Sequence, residues 1–291
     1  MRRAAYASVL VASLLIAVKA AAYVLSGSVA MLASLVDSGT DLVASLANLV
    51  AVHHALTPAD RQHRFGHGKA EPISGLAQAV FIAASAVFLV VQAVSQLRMP
   101  QPLTHGAVAI AVMIMSIGVT AFLVLFQRRV VRATGSVAIK ADNFHYAGDL
   151  LTNIGVVIGI VLSTWLGWYA ADGVMALLIA IVLAVSAWHV LRQSFDQLMD
   201  RELSDDERRA IQEIAARHPR VRGVHDLRTR SAGTLRFIQI HIEMEPSLSL
   251  AEAHRASDEI ETALLKRFPG ADILIHLDPH GLERPPALAN A

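Results

Sequence analysis

Long apolar blocks fill the first two hundred residues, and they leave the backbone few options. About 18 or more consecutive apolar residues are enough to cross a ~30 Å hydrocarbon core. Six such stretches are expected: Ala4–Leu25, Val29–Val52, Ile73–Leu97, Leu103–Phe126, a fifth ending near Leu166, and Ala170–Leu191. No water satisfies a peptide group inside lipid, so segments of this length must close their own hydrogen bonds as helices. Charged residues make up 17% of the 291-residue chain, against about 25% in soluble domains. From Leu203 onward the composition turns polar. The expected organisation is a six-helix transmembrane domain over 1–200 with a cytosolic loop at 54–72, a cytosolic α/β domain over 201–282, and a flexible tail over 283–291.

Met1-Arg2-Arg3, an apolar run and Ala20-Ala21-Ala22 imitate a cleavable signal peptide. Lys19 interrupts that run, which continues to Leu25. Cleavage would leave five spans with the basic loops on the wrong side, so the first helix is expected to be retained. Arg2, Arg3, Arg61, Arg64, Lys69, Arg128, Arg129, Arg132 and Lys140 fall on one side and Arg98 alone on the other. By the positive-inside rule both termini and the polar domain are cytosolic. A net charge of +1 and the lack of a basic, aromatic-laced stripe argue against a nucleic-acid partner. No cysteine is present, which excludes disulfides and thiolate metal sites and disfavours Cu(I).

Ionisable groups inside a span are costly and therefore candidates for function. Asp37 and Asp41 lie in the second span, His145 and Asp149 in the fifth, each pair spaced i, i+4 on one helix face. At ~1.5 Å per residue, Asp37 lies about 12 Å and Asp41 about 18 Å below the outer edge. Hydropathy alone starts the fifth helix near Phe144. Ser136–Asn143 carries neither Pro nor Gly, however, and an earlier start puts His145 and Asp149 at matching depth. Three carboxylates and an imidazole fit tetrahedral Zn²⁺; helix–helix hydrogen bonds or a metal-free proton relay fit the same residues. Lys19, about 9 Å from the outer edge, can snorkel and is assigned no site role.

Two further groups lie in the polar regions. Asp60-x-x-His63-x-x-x-His67 follows Thr57-Pro58, with Gly66 and Gly68 loosening the backbone. It reads as a water-completed zinc shell or as a pH-sensitive loop without metal, with His53 and His54 as interfacial residues. In the polar domain, Ser204…Glu207 and Ser249…Glu252 are capping boxes that open helices. Strands are expected over Val221–Arg230, Thr234–Glu243 and Asp272–Asp278, giving the order α-β-β-α-β, a ferredoxin-like, metallochaperone-like domain. Alternation turns Ile238, Ile240, Ile242, Ile273, Ile275 and Leu277 toward the helices. It leaves Gln239, His241, Glu243, His276 and Asp278 on an open face, as metal ligands or ordinary surface groups. His105, His189, His218 and His280 receive no role.

Several stretches in order resemble the cation diffusion facilitator family, specifically its bacterial zinc and iron efflux members. They are Ser34-Leu-Val-Asp-Ser-Gly-Thr-Asp41, Asp60-Arg-Gln-His-Arg-Phe-Gly-His-Gly-Lys-Ala-Glu71, His145-Tyr-Ala-Gly-Asp149, Val224-His-Asp-Leu-Arg-Thr-Arg230, Phe237-Ile-Gln-Ile-His241 and Ile275-His-Leu-Asp-Pro279. The resemblance implies a homodimeric metal/proton antiporter in the bacterial inner membrane, surrounded by lipid. It implies Asp37, Asp41, His145 and Asp149 as the transport site and Asp60, His63 and His67 as a loop site. It further implies a binuclear tail site of His225, His241, His254, His276 and Asp278. Leu277 departs from the Gln of close relatives, which bears on the outer contacts of the tail site. Lys69 and Asp200 are implied as a brace of the dimer, though a solvated charge pair reads equally well. Zn²⁺ is the expected cargo and structural ion, with Fe²⁺ or Cd²⁺ next. The rival readings are a non-transporting membrane metal sensor and an intramembrane metalloenzyme; the latter needs a general base beside the metal, and no H-E-x-x-H occurs.

Overall fold

Residues 1–26, 29–98, 107–168 and 170–281 are described by the structure, a computed structural model. The segment 283–291, expected to be a flexible tail, lies outside them, as does His105. The chain divides into two compact units, Met1–Phe195 and Asp196–Ala291.

The first unit is built from six helices: α1 (Arg2–Ser26), α2 (Val29–Ala55), α3 (Ala70–Arg98), α4 (Ala107–Thr134), α5 (Val137–Leu166) and α6 (Ala171–Leu198). Among the described residues, all but α5 have the length and apolar composition of a membrane span. The first half of α5 carries Asp142, Asn143, His145 and Asp149, which depress its hydropathy without shortening it; it runs for 30 residues. Many large apolar side chains, Val24, Val36, Phe88, Phe122 and Ile181 among them, are more than half exposed. In a bundle bathed by lipid that is the contact surface. The chain is thus a multi-pass membrane protein with a small α/β domain after it.

Helix α5 starts where the earlier of the two readings places it. Ser136 is its N-cap, and the Ser136 hydroxyl accepts a hydrogen bond from the Ile139 amide. A second acceptor comes from α3. The buried Glu71 carboxylate takes hydrogen bonds from the Ser136 hydroxyl (3.0 Å) and the Val137 amide (3.2 Å). A negative charge at a helix N-terminus satisfies orphan donors and opposes the macrodipole. Glu71→Ala should therefore cost about 1–3 kcal/mol, the penalty of leaving buried donors without an acceptor. Thermal unfolding in detergent checks this, and Glu71→Gln, which retains an acceptor oxygen, should lose less.

Helix α5 packs against α4 and α3, while α1 packs against α2 and α4. Close approach is enforced at Gly75 of α3, where a Cβ would fall 2.3 Å from the Ser194 Oγ of α6 and 3.1 Å from Val137 Cγ1 of α5.

The second unit has the order α7 (Asp205–Ala216), β1 (Val221–Ala232), β2 (Leu235–Met244), α8 (Leu250–Arg267) and β3 (Asp272–Pro279). The sheet order is β1-β2-β3, with β1 antiparallel and β3 parallel to β2. Ile238, Ile240 and Ile242 are fully buried beneath α7 and α8, packed with Ile211, Ile260 and Leu264. Leu277 joins that core from β3, in keeping with the alternation. Ser249 and Glu252 form a reciprocal capping box on α8, and the hydrogen bonds from the Ser249 hydroxyl and amide hold the Glu252 carboxyl below its ordinary value. At α7 only half of the expected box forms. The Ser204 hydroxyl accepts from the Glu207 amide, but the Glu207 carboxylate takes the Ser204 hydroxyl (3.0 Å) and Arg236 on β2 (3.0 Å) in place of the Ser204 amide. A charge-assisted bond to a neighbouring strand outcompetes the local amide.

Candidate metal centres

Three of the four intramembrane candidates converge. His145 Nε2 lies 3.1 Å from Asp41 Oδ1 and 3.8 Å from Asp149 Oδ2. Their ligand-capable atoms all fall within 4.8 Å of one another. Asp41 is buried and the other two half-buried. Asp37 stands apart from this trio, one turn earlier on α2 and exposed. It lines the same cavity of about 620 Å³ as Asp41, Asp149 and Tyr146.

That cavity also receives Lys19, which corrects the reading of it as a snorkelling interfacial residue. Lys19 is 8% exposed, and its Nζ donates to Ser38 Oγ (2.6 Å) and the Ser34 carbonyl (3.2 Å) on α2. Its ammonium faces the acidic pocket rather than the interface. At ~1.5 Å per residue Lys19 lies level with Ser34 and Asp37, within reach of α2.

A buried network one turn below His145 was also missed. Asp142 Oδ2 accepts from Ser8 of α1 (2.5 Å) and from Gln127 of α4 (2.7 Å), and Asn143 donates to the Gln127 side chain (3.3 Å). Beside it, the Tyr146 hydroxyl meets Ser45 Oγ at 2.7 Å. A charge inside a span was the available signal, once α5 is started at Ser136.

In the loop, an Asx-type turn positions the carboxylate. Asp60 Oδ1 accepts from the amides of His63 (2.6 Å) and Gln62 (2.8 Å), and these bonds, the one from His63 first, hold the Asp60 carboxyl below its ordinary value. Asp60 then faces both imidazoles, at 3.4 Å from His63 Nδ1 and 3.5 Å from His67 Nε2. Gly66, at φ 78°, supplies the left-handed turn between them. His67 Nδ1 lies 3.4 Å from the Thr57 carbonyl, an acceptor that directs the Nε2 lone pair toward the carboxylate. The donor set of two imidazoles and one ionised carboxylate fits zinc with water completing the shell.

In the second unit the strand register does the positioning. His225 pairs with His241 across β1–β2, and His241 with His276 across β2–β3, so three imidazoles stand in a row on the open face. Asp278 gathers them. Its Oδ2 lies 2.9 Å from His241 Nδ1 and 3.4 Å from His225 Nε2, and its Oδ1 lies 3.3 Å from His276 Nε2. The ligand atoms of His225, His241 and Asp278 all fall within 4.8 Å of one another, a set that also fits zinc, while His276 meets the other carboxylate oxygen. His254 does not join them. It projects from α8, 72% exposed, and pairs with Asp258 at 3.6 Å. Glu243, which alternation placed on this face, and His280, which received no role, do join: Glu243 lies 3.0 Å from His225 Nδ1 and 2.9 Å from His280 Nδ1.

Comparison with known proteins agrees with this division of the chain. Residues 5–199 match the cation efflux transmembrane domain and residues 203–280 the cation efflux protein cytoplasmic domain. The cation-efflux pump FieF of Escherichia fergusonii is 48% identical over 277 residues, 95% of this chain and 92% of that one. The FieF of Cronobacter sakazakii is 47% identical over the same shares. Among solved structures, the metal-bound C-terminal domain of the CzcD transporter from Thermotoga maritima is 34% identical, covering 27% of this chain and 93% of that one, with a TM-score of 0.26. The cytosolic domain of a cation diffusion facilitator family protein is likewise 34% identical, over 26% and 92%, with a TM-score of 0.25. The full-length relatives are named as pumps, which are transporters and not enzymes.

Proposed function

The chain belongs to the cation efflux (cation diffusion facilitator) family, and within it we propose a homodimeric, proton-coupled exporter of Zn²⁺, with Fe²⁺ and Cd²⁺ as secondary clients. It works in the bacterial inner membrane with both termini in the cytosol. The observation that carries this reading is the meeting of Asp41, His145 and Asp149 inside a helical bundle, beside a cavity that Asp37 also lines. Ligands about 3.3 Å apart are what a tetrahedral shell with bonds near 2.0–2.1 Å demands, and the 3.1 and 3.8 Å separations bracket that value. Asp37 is the fourth ligand, reached by a side-chain rotation into the shared cavity.

Exchange follows from the donor chemistry. Zinc takes a neutral imidazole and ionised carboxylates, so each ion that binds displaces the protons these groups hold, and each proton that returns weakens its grip. Lys19, hydrogen-bonded at the edge of the pocket, offsets part of the acidic charge while the metal is away. The loop and tail clusters hold resident zinc. The tail cluster joins two copies and lets cytosolic zinc regulate export.

Uptake into inside-out proteoliposomes, with Zn²⁺, Fe²⁺, Cd²⁺ and Mn²⁺ compared, tests the proposal. No uptake of any of the four would refute it. His145 is the sole nitrogen donor of the set, and imidazole suits zinc whereas all-carboxylate sites suit Mn²⁺. His145→Asp should therefore shift competition toward manganese by roughly tenfold or more, a penalty within the range of ordinary ligand effects. An unchanged Zn/Mn ratio would remove His145 from the selectivity filter.

A further inference from the structure

The open face of the small sheet carries more ligand chemistry than its His241, His276 and Asp278 cluster uses. We infer that Glu243, His280 and the Nδ1 of His225 form a second seat for a divalent cation of borderline softness, Zn²⁺ foremost, within each tail. The inference rests on the reading of this face as metal-binding and adds residues to it.

Three observations converge on Glu243. Its carboxylate is 16% exposed and lies between two imidazoles, 3.0 Å from His225 Nδ1 by Oε1 and 2.9 Å from His280 Nδ1 by Oε2. The first of these approaches is not a hydrogen bond. His225 Nδ1 is buried and has no partner of acceptable geometry, although an anionic oxygen stands 3.0 Å away. When two donor atoms share a tetrahedral ion they lie about 3.3 Å apart, and each lone pair points at the ion rather than at its neighbour. An oxygen close to a ring nitrogen but off its N–H axis has that relation.

The second observation is space. A Cβ at Gly223 would fall 2.6 Å from Glu243 Oε2 and 2.9 Å from its Oε1. The carboxylate occupies the room that the missing side chain leaves. The third is anchorage: the His280 amide donates to the Met244 carbonyl at 2.8 Å, which extends the β2–β3 ladder and fixes the His280 ring beside Glu243. Two imidazoles and a glutamate are a frequent zinc set, with the remaining position open to water.

His225 lies between the clusters: a neutral imidazole ligates through one nitrogen, so with Nδ1 on the second ion beside Glu243 its Nε2 carries the proton and faces Asp278 at 3.4 Å. The seats are therefore neighbours, but each has donors of its own. Zinc content per chain, measured on the full-length protein carrying Asp149→Ala and His67→Ala to silence the membrane and loop sites, reads them separately. Glu243→Gln and His280→Ala should each remove one equivalent, and His241→Ala should remove a different one. Gly223→Ala tests the cradle without touching a donor; displacing the carboxylate should lose the same equivalent as Glu243→Gln. Cobalt substitution gives a second readout, since the visible absorption of the tetrahedral ion should fall with the same variants. If Glu243→Gln and His280→Ala retain the parental content while His241→Ala loses metal, the second seat is wrong and the tail reading stands. If none of the three loses metal, both are wrong. A loss on Glu243→Gln and His280→Ala with none on His241→Ala leaves the second seat standing and overturns the first.

Discussion

Asp149→Ala and Asp41→Ala should each abolish export, lowering zinc flux in proteoliposomes by well over a hundredfold. Removing only the groups that orient a metal's ligands costs about 10–100-fold in affinity. Here the proposed ligand itself is lost, from a trio whose donor atoms stand 3.1 and 3.8 Å apart. The neighbours cannot close the gap, because Asp41 and His145 are fixed on two packed helices and already face each other. A bare position in a low-dielectric bundle leaves the ion's charge uncompensated, so entry fails along with binding. Asp37→Ala should do less, since Asp37 is exposed and joins the trio only by rotation. Circular dichroism and size exclusion establish that each variant is folded. Wild-type flux in a folded Asp149→Ala protein would end the assignment.

A proton gradient alone should drive zinc against its own gradient, and apparent zinc affinity should fall steeply with pH. Each group that must release a proton to bind metal contributes a factor equal to the change in proton activity, roughly 30-fold per proton between pH 7.5 and 6. Clustered carboxylates repel one another, so protons bound to the empty site relieve that repulsion. The sign is fixed by the ligands: acid ejects metal, and metal ejects protons. With two protons per Zn²⁺ the exchange is electroneutral, and one pH unit, acidic on the releasing side, sustains about a hundredfold metal gradient. A pH-sensitive dye trapped in the vesicle reports the proton flux directly. Zinc movement without proton movement, together with affinity flat over that range, would make the protein a uniporter.

How much of this could be read beforehand depended on whether the signal was periodic or positional. Span positions and strand faces follow from apolar patterning, and the fully buried Ile238, Ile240 and Ile242 obey it. The extent of α5 was legible only in outline, because its polar first half imitates a loop; it took the absence of Pro and Gly to suggest Ser136, and the Ser136 cap to fix it. The depth match of Asp41 with His145 followed from helical rise alone and agrees with their 3.1 Å contact. The depth of Lys19 and the charge of Asp142 were within reach of that method, but the pairings of Lys19, Asp142 and Glu71 were not. Their partners lie on helices distant in sequence, Ser38 for Lys19, Ser8 and Gln127 for Asp142, Ser136 for Glu71, and no spacing rule reports such pairs. Alternation put Glu243 on the open face, but not its seat beside His225 and His280, because the room for the carboxylate comes from an absent side chain, Gly223, on the adjacent strand.

The Glu71 cap makes the N-terminal end of α5 a fulcrum. There α5 is pinned to α3 by a buried carboxylate, and the bare Gly75 lets α3, α5 and α6 press together within a turn of the same point. Parting these ends would strand a buried charge, so the helix is free to swing only farther out. At ~1.5 Å per residue, Asp149 sits about 18 Å along the lever from Val137 and His145 about 12 Å. A tilt of about 10° therefore sweeps Asp149 through about 3 Å and His145 through about 2 Å. That sweep is comparable to the 3.1 Å that separates His145 from Asp41 on the facing helix. Zinc–ligand bonds hold their lengths to about ±0.2 Å. On the proposed reading of the site, a pivot this small, anchored eight residues from His145, is enough to open the shell around an ion.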